Sequence, residues 1–252
     1  MARIPGWWKI YVTDVVTDTE QAAEEHRRVV PVGRSLSQVA IVLVTATLSL
    51  TAIRFLLSSP IGADHSSEFD RLMRWAGISI VCYFLPPLLA IKLMGQRLTS
   101  FGAGRPVPGT GRPYLVLFLV SVPFLLAASF LPAFQEGYPF FEPGLDESWW
   151  PRVAVWWLVY VVQFIAVEFF FRGFMLFGLS PRLGVASVFV MMVPYTMIHF
   201  DKPMAEALSA ILGGSVLGFL ALKSNSFWWA AAIHVGIAMT METLTLWHAG
   251  FF

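Results

Sequence analysis

Residues 151–178 read PRVAVWWLVYVVQFIAVEFFFRGFMLFG. From Val153 to Val167 the run holds no charge, and the whole stretch exceeds the roughly 20 residues a helix needs to cross the hydrocarbon core of a bilayer. It then places Glu168 and Arg172 four positions apart, which puts both on one helical face. An ionised side chain at the centre of a bilayer costs about 3 kcal/mol or more. Two readings follow for the pair. It is an internal salt bridge that lets a long apolar helix keep two charges, or it forms the wall of a polar cavity inside the membrane.

The rest of the chain has the same character. Of its 252 residues, 57% are hydrophobic and 13% charged, about half the charged share of a soluble domain, and the mean hydropathy is +0.67. That composition excludes disorder, collagen-like repeats and a coiled coil. A formal charge of +1 without a basic stripe argues against a nucleic-acid partner. The single cysteine, Cys82, rules out an internal disulfide framework and a CxxC metal knuckle. The expected fold is all-α, a polytopic transmembrane bundle of about seven spans, near residues 36–58, 73–95, 113–133, 151–178, 183–200, 204–222 and 227–247. Pro203 is suited to open the sixth, because the N–H it lacks would have no helical partner there.

Lys and Arg in short loops orient such a chain. Arg3, Lys9, Arg27, Arg28 and Arg34 precede the first span, and Lys92, Arg97, Arg105 and Arg112 bound or fill the second loop. The third loop holds Glu136, Glu142, Asp146 and Glu147. The asymmetry predicts a cytoplasmic N-terminus. Residues 1–35 form a separate segment, with residues 36–252 as the membrane domain. Ile4, Trp7, Trp8, Tyr11 and Val15 recur at helical spacing, which suits a helix lying in the membrane interface or a cytosolic helix packed on the bundle. Glu20 to Arg28 reads as a second, charged helix after a Thr19 cap.

Ionisable residues within spans mark function by default, and here they gather in the last 100 residues: Glu168, Arg172, His199, Glu206, His234 and Glu242. Arg54 and His248 lie nearer span ends, where snorkelling accounts for them. Tyr195 sits one turn before His199. A histidine at a span end is commonly an interfacial residue, but His234, in mid-span, is hard to explain by packing. Glu206 opens the sixth span, where the helix dipole favours a carboxylate; it also lies a short turn from His199. Gly214 and Gly218, with Gly213, form a small-residue face for close packing, and Gly236 would permit close approach near His234. A carboxylate with two histidines admits hydrolysis by activated water, metal-assisted hydrolysis or a proton relay for transport. The zinc helix motif HExxH and a serine nucleophile elbow are both missing from the sequence.

The arrangement resembles the CPBP family of intramembrane proteases, the CAAX protease and bacteriocin-processing family. That family carries EExxxR on one helix, FxxxH on the next and HxxxN or HxxxD on a later one. The order matches here over roughly residues 150–245, and Leu98-Thr-Ser-Phe-Gly-Ala-Gly is similar to the segment before the family's core. Counted back from Arg172, the first motif reads Val167-Glu168, so the family's first Glu is replaced. Tyr195xxxHis199 keeps the second motif with Tyr for Phe. His234 keeps the third, but Ala238 stands where Asn or Asp is expected. The resemblance implies that water is activated by a glutamate with His199, and that a glutamate pairs with Arg172. With two glutamates these jobs are separate. Here Glu168 does both, or Glu206 replaces the missing carboxylate, with His234 toward the oxyanion; Arg172 and Tyr195 support.

The leading expectation is an intramembrane glutamic-type endopeptidase acting on a membrane-embedded or lipidated peptide, in a bacterial inner membrane. No cofactor is demanded, although these histidines and glutamates could bind zinc. The losses at Val167 and Ala238 favour an alternative, an inactive family member serving as a membrane regulator or scaffold. A proton-coupled transporter ranks below both, because no inverted repeat is visible.

Overall fold

The long apolar runs fold as helices. The computed structural model describes residue 6 and residues 9–59, 67–141 and 149–251, and every regular element among these is helical. A π-helical turn, Lys9–Thr13, leads into α1 (Asp14–Val29). Then come α2 (Val32–Ser58), α3 (Glu68–Leu93) and α4 (Arg112–Ala128). Helix α5 (Trp149–Glu168) continues through a π-helical stretch, Phe169–Met175, into α6 (Leu176–Leu183). The last three are α7 (Ala186–Met197), α8 (Met204–Ser224) and α9 (Trp228–His248). Five helices are long and apolar enough to span a bilayer: α2, α3, the continuous α5–α6 rod, α8 and α9. Helices α4 and α7 are apolar but shorter. With them the chain is an integral membrane bundle of about seven spans, as expected.

Successive helices alternate in direction, so contacts gather at two ends. At one end Gln38 bridges Gln96 and the Gly178 carbonyl, Val107 N–H donates to the Ser224 carbonyl, and Arg27 donates to the Arg182 carbonyl. At the other end Arg74 reaches the Leu56 carbonyl, and His248 lies 3.0 Å from the Ser129 hydroxyl. Pro203 caps α8, and Ser67 caps α3 by accepting from Asp70 N–H. In lipid, apolar burial alone drives little association, so close packing and polar contacts carry it. Gly214 and Gly218 supply the closeness. A Cβ on either would stand 2.9 Å from an atom of Tyr195 or Val188 on α7. Gly213 adds nothing to this face, since no atom lies within 4 Å of its Cβ position. The space at Gly236 is filled by Phe118 of α4, not by a partner of His234.

The N-terminal segment differs from its reading in one respect. Helix α1 runs unbroken from Asp14, so Thr19 lies within it and caps nothing. Val15 and Ala23 are buried, and Glu20 accepts from Val185 N–H at 2.7 Å. Glu20 therefore caps the start of α7 from another helix, where the unpaired N–H groups and the dipole both favour a carboxylate. Gly184 precedes that start with φ +57°, and a side chain there would meet Glu20. This geometry matches a helix packed on the bundle. Ile4, Trp7 and Trp8 of the proposed amphipathic stripe, and Glu142, Asp146 and Glu147 of the acidic loop, lie outside the described residues. Replacing Glu20 with Ala removes the remote cap, and the expected loss is about 1 kcal/mol. Thermal unfolding in detergent measures it, with Gly184→Ala at least as damaging.

Candidate active site

The polar centre is built on the π-helical stretch of the α5–α6 rod. Such widened turns occur mostly as single insertions and often at functional sites. Phe169, Phe170, Phe171 and Phe174 are all buried around it, so the wide turn is encased in rings. Glu168 and Arg172 emerge inward from this wall and are completely buried. Arg172 Nη1 donates to Glu168 Oε1 at 2.8 Å. His234 of α9 places Nδ1 2.7 Å from the same oxygen. One carboxylate oxygen thus carries both neighbours. The other, Oε2, is buried without a hydrogen-bond partner among the described residues, as are Arg172 Nε and Nη2.

Tyr195 of α7 joins the remaining groups. Its ring lies under the Arg172 guanidinium, 3.8 Å from Cζ to centroid. The same ring is 4.9 Å from the His199 ring and 6.4 Å from that of His234. Gly214 is what allows Tyr195 this place. His199 sits just past the end of α7, and its Nδ1 is 2.8 Å from the Tyr195 carbonyl. A carbonyl only accepts, so Nδ1 carries the proton and Nε2 presents a lone pair in the neutral ring. His199 and His234 are each half-buried. Phe164 packs on the His234 ring at 4.4 Å and fixes its plane.

Five of the six sequence-selected residues therefore converge: Glu168, Arg172, Tyr195, His199 and His234. Glu206 takes a different place. Its two oxygens accept from the Tyr138 hydroxyl at 3.2 and 3.4 Å, and no hydrogen bond joins it to either histidine. Val167, where the family motif has its first Glu, is buried, and Ala238 is buried in an apolar cluster with Trp156 and Tyr160. Glu242 is fully buried and accepts from Phe140 N–H and Trp156 Nε1. Arg54, by contrast, is exposed. Among the described residues no three His, Cys, Asp or Glu side chains are grouped to hold a metal ion.

Three residues near the site carried no sequence signal of their own. Tyr138 lies in the connection after α4. Lys202 lies in the turn after His199, with its ammonium 3.9 Å from the Phe140 ring centre and 3.4 Å from the Tyr138 hydroxyl. Burial pulls the Lys202 ammonium below its ordinary range, opposed by Glu206 and Glu242. Burial pushes the Tyr138 phenol up, with Glu206 adding to it. The third is Phe164.

A buried carboxylate, a free imidazole lone pair and a second histidine gathered around the Tyr195 ring form a constellation suited to activating water. No curated protein and no solved structure matches the chain. Residues 148–240, which hold every one of the six selected residues, match the family model of type II CAAX prenyl endopeptidase Rce1-like proteins, in agreement with the CPBP resemblance.

Proposed function

We propose that this protein is an intramembrane endopeptidase that hydrolyses a membrane-embedded or lipid-modified peptide with water activated by Glu168 and His199. The observation that carries the reading is the division of labour on one carboxylate. Glu168 Oε1 holds Arg172 and His234, while Oε2 is buried without a hydrogen-bond partner among the described residues. His199 brings an Nε2 lone pair beside the Tyr195 ring, which also faces His234. Water between Oε2 and Nε2 gives up a proton to one of them as its oxygen adds to the peptide carbonyl. When His234 carries protons on both nitrogens, its Nδ1–H stays on Glu168 and its Nε2–H is free for the new oxyanion. Collapse of the adduct breaks the C–N bond, and the held proton passes to the leaving amine. Arg172 and Tyr195 keep Glu168 in place. Glu206, the second carboxylate candidate, is engaged by the Tyr138 hydroxyl.

The basic residues Arg97, Arg105, Arg112 and Arg182 belong to one end of the bundle, which supports a cytoplasmic N-terminus by the loop-charge rule. A bacterial inner membrane is the compartment we assign.

One observation favours the alternative of an inactive regulator or scaffold. Glu168, Arg172 and His234 pair with one another as a buried structural ion pair would. Two measurements separate the readings. Membrane-peptide termini are compared in cells carrying the wild type, Glu168→Gln, Glu206→Gln or His199→Ala at matched folded levels. Hydrolysis predicts a terminus that vanishes in the first and third variants and persists, reduced, in Glu206→Gln. Full cleavage by His199→Ala would sink the proposal. In a stability cycle, Arg172→Met strands the buried carboxylate and is expected to cost about 3–5 kcal/mol. Glu168→Leu with Arg172→Met recovers much of that loss in unfolding experiments while cleavage stays absent. If the double variant keeps cleavage, Glu168 has no chemical role.

A further inference from the structure

The segment Tyr138–Phe140 ties three parts of the bundle together at the end opposite the N-terminal helix. Its Tyr138 hydroxyl donates to Glu206 on α8. The Lys202 ammonium packs on the Phe140 and Tyr138 rings, 3.9 and 4.8 Å from their centres, and donates to the Tyr138 hydroxyl. Phe140 N–H donates to Glu242 on α9 at 2.9 Å, and the Phe140 ring stacks on Trp75 of α3 at 5.8 Å. Two of these attachments lead to a histidine of the site. Lys202 N–H closes the turn by donating to the His199 carbonyl at 3.0 Å. Glu242 lies on the same helix as His234, eight positions on.

Helix α7 ends at Met197, so His199 stands on a turn rather than on a helix. A catalytic group on a turn needs support from its surroundings, because misplacement by about 1 Å can cost 100-fold in rate. We infer that the Tyr138–Phe140 segment, with Lys202, Glu206 and Glu242, is a positioning clamp that fixes the His199 turn against the helix of His234. Tyr138 and Lys202 are then positioning residues, and the buried carboxylates are its anchors. Three features distinguish this clamp from ordinary loop packing. Lys202 has no carboxylate within ion-pair distance among the described residues, so its side chain is spent on the two rings and the hydroxyl. Glu242, buried in a span at real cost, takes a backbone N–H from the segment. Glu206 takes only the hydroxyl of that segment and a place next to the His199 turn.

The kinetic consequence rests on the peptidase reading, so the test has a readout that does not. The protein has five histidines, and selective ¹⁵N-histidine labelling in detergent follows each ring by NMR. Tyr138→Phe deletes one oxygen, Lys202→Met removes the ammonium, and Lys202→Arg preserves a cation over the rings. The clamp predicts that the His199 ring signals shift or broaden in Tyr138→Phe and Lys202→Met, return toward wild type in Lys202→Arg, and leave His26 unchanged. In a peptide cleavage assay it predicts a kcat lowered about 10- to 100-fold with KM within about twofold. An unmoved His199 signal in folded Tyr138→Phe and Lys202→Met overturns the clamp, and so does an equal disturbance of His26, which reports general loosening. If the wild type cleaves nothing while His199 responds as expected, the peptidase reading fails and the clamp stands.

Discussion

A carboxylate and a guanidinium that are both fully enclosed set the terms for everything around them. Glu168 and Arg172 cannot be separated without leaving a bare charge in a medium that solvates it poorly, so each fixes the other. The pair is four residues apart on a widened helical turn, and the rings of Phe169, Phe170, Phe171 and Phe174 leave it no route to water along its own helix. The remaining donors and acceptors must come from neighbours. His234 arrives from α9, and the Tyr195 ring arrives from α7 to cover the guanidinium. The approach of α7 is set in turn by the missing side chain at Gly214. The ion pair therefore explains why α5, α7, α8 and α9 meet where they do.

The two ends of the bundle are held by different means. On the basic end, backbone groups dominate: Arg27 on the Arg182 carbonyl, Gln38 on the Gly178 carbonyl and Glu20 on the Val185 N–H. These contacts satisfy helix termini and belong to the supporting frame. On the other end side chains meet one another, and the aromatic rings of Phe140, Trp156 and Tyr160 surround a buried glutamate. His199 connects to this second end through its turn, while His234 lies nearer the basic end of its helix and bonds Glu168. The candidate site therefore lies between the two ends, its π-helical stretch packed on Phe101 and Phe227 of the basic end and its His199 turn tied to the other.

Much of this was legible in the sequence, and the reason is periodicity. A shared helical face put Glu168 beside Arg172, and the spacing of Gly214 and Gly218 marked the packing face that receives α7. Tyr195 and His199 are one turn apart, so their proximity follows from the helix alone. What could not be read was contact between a loop and a distant helix. Tyr138 meets Glu206 across 68 positions, and Phe140 meets Glu242 across 102; no repeat in the sequence marks either. Glu206 looked like a partner of His199 because a short turn separates them, yet its side chain leaves the helix toward Tyr138. Thr19 looked like a cap because it precedes a charged run, but the helix had already begun at Asp14. Gly236 suggested room for His234, and the room belongs to Phe118.

The replaced glutamate at Val167 bears most heavily on the chemistry. A carboxylate beside an arginine favours its ionised form and is a weaker base for it, so a site with one carboxylate must reconcile two opposed properties. The incompatibility eases once the two oxygens are considered apart. Oε1 already receives Arg172 and His234, whereas Oε2 receives no hydrogen bond from the described residues. A partner of modest basicity then falls to His199, whose Nε2 is left free by the bond from Nδ1 to the Tyr195 carbonyl. Under the peptidase reading the imidazole takes the proton and the carboxylate orients the water and steadies the charge that develops. That assignment makes the placement of His199 the sensitive quantity. It also gives a reason for two further glutamates to be spent near the turn and the helix that carry the histidines.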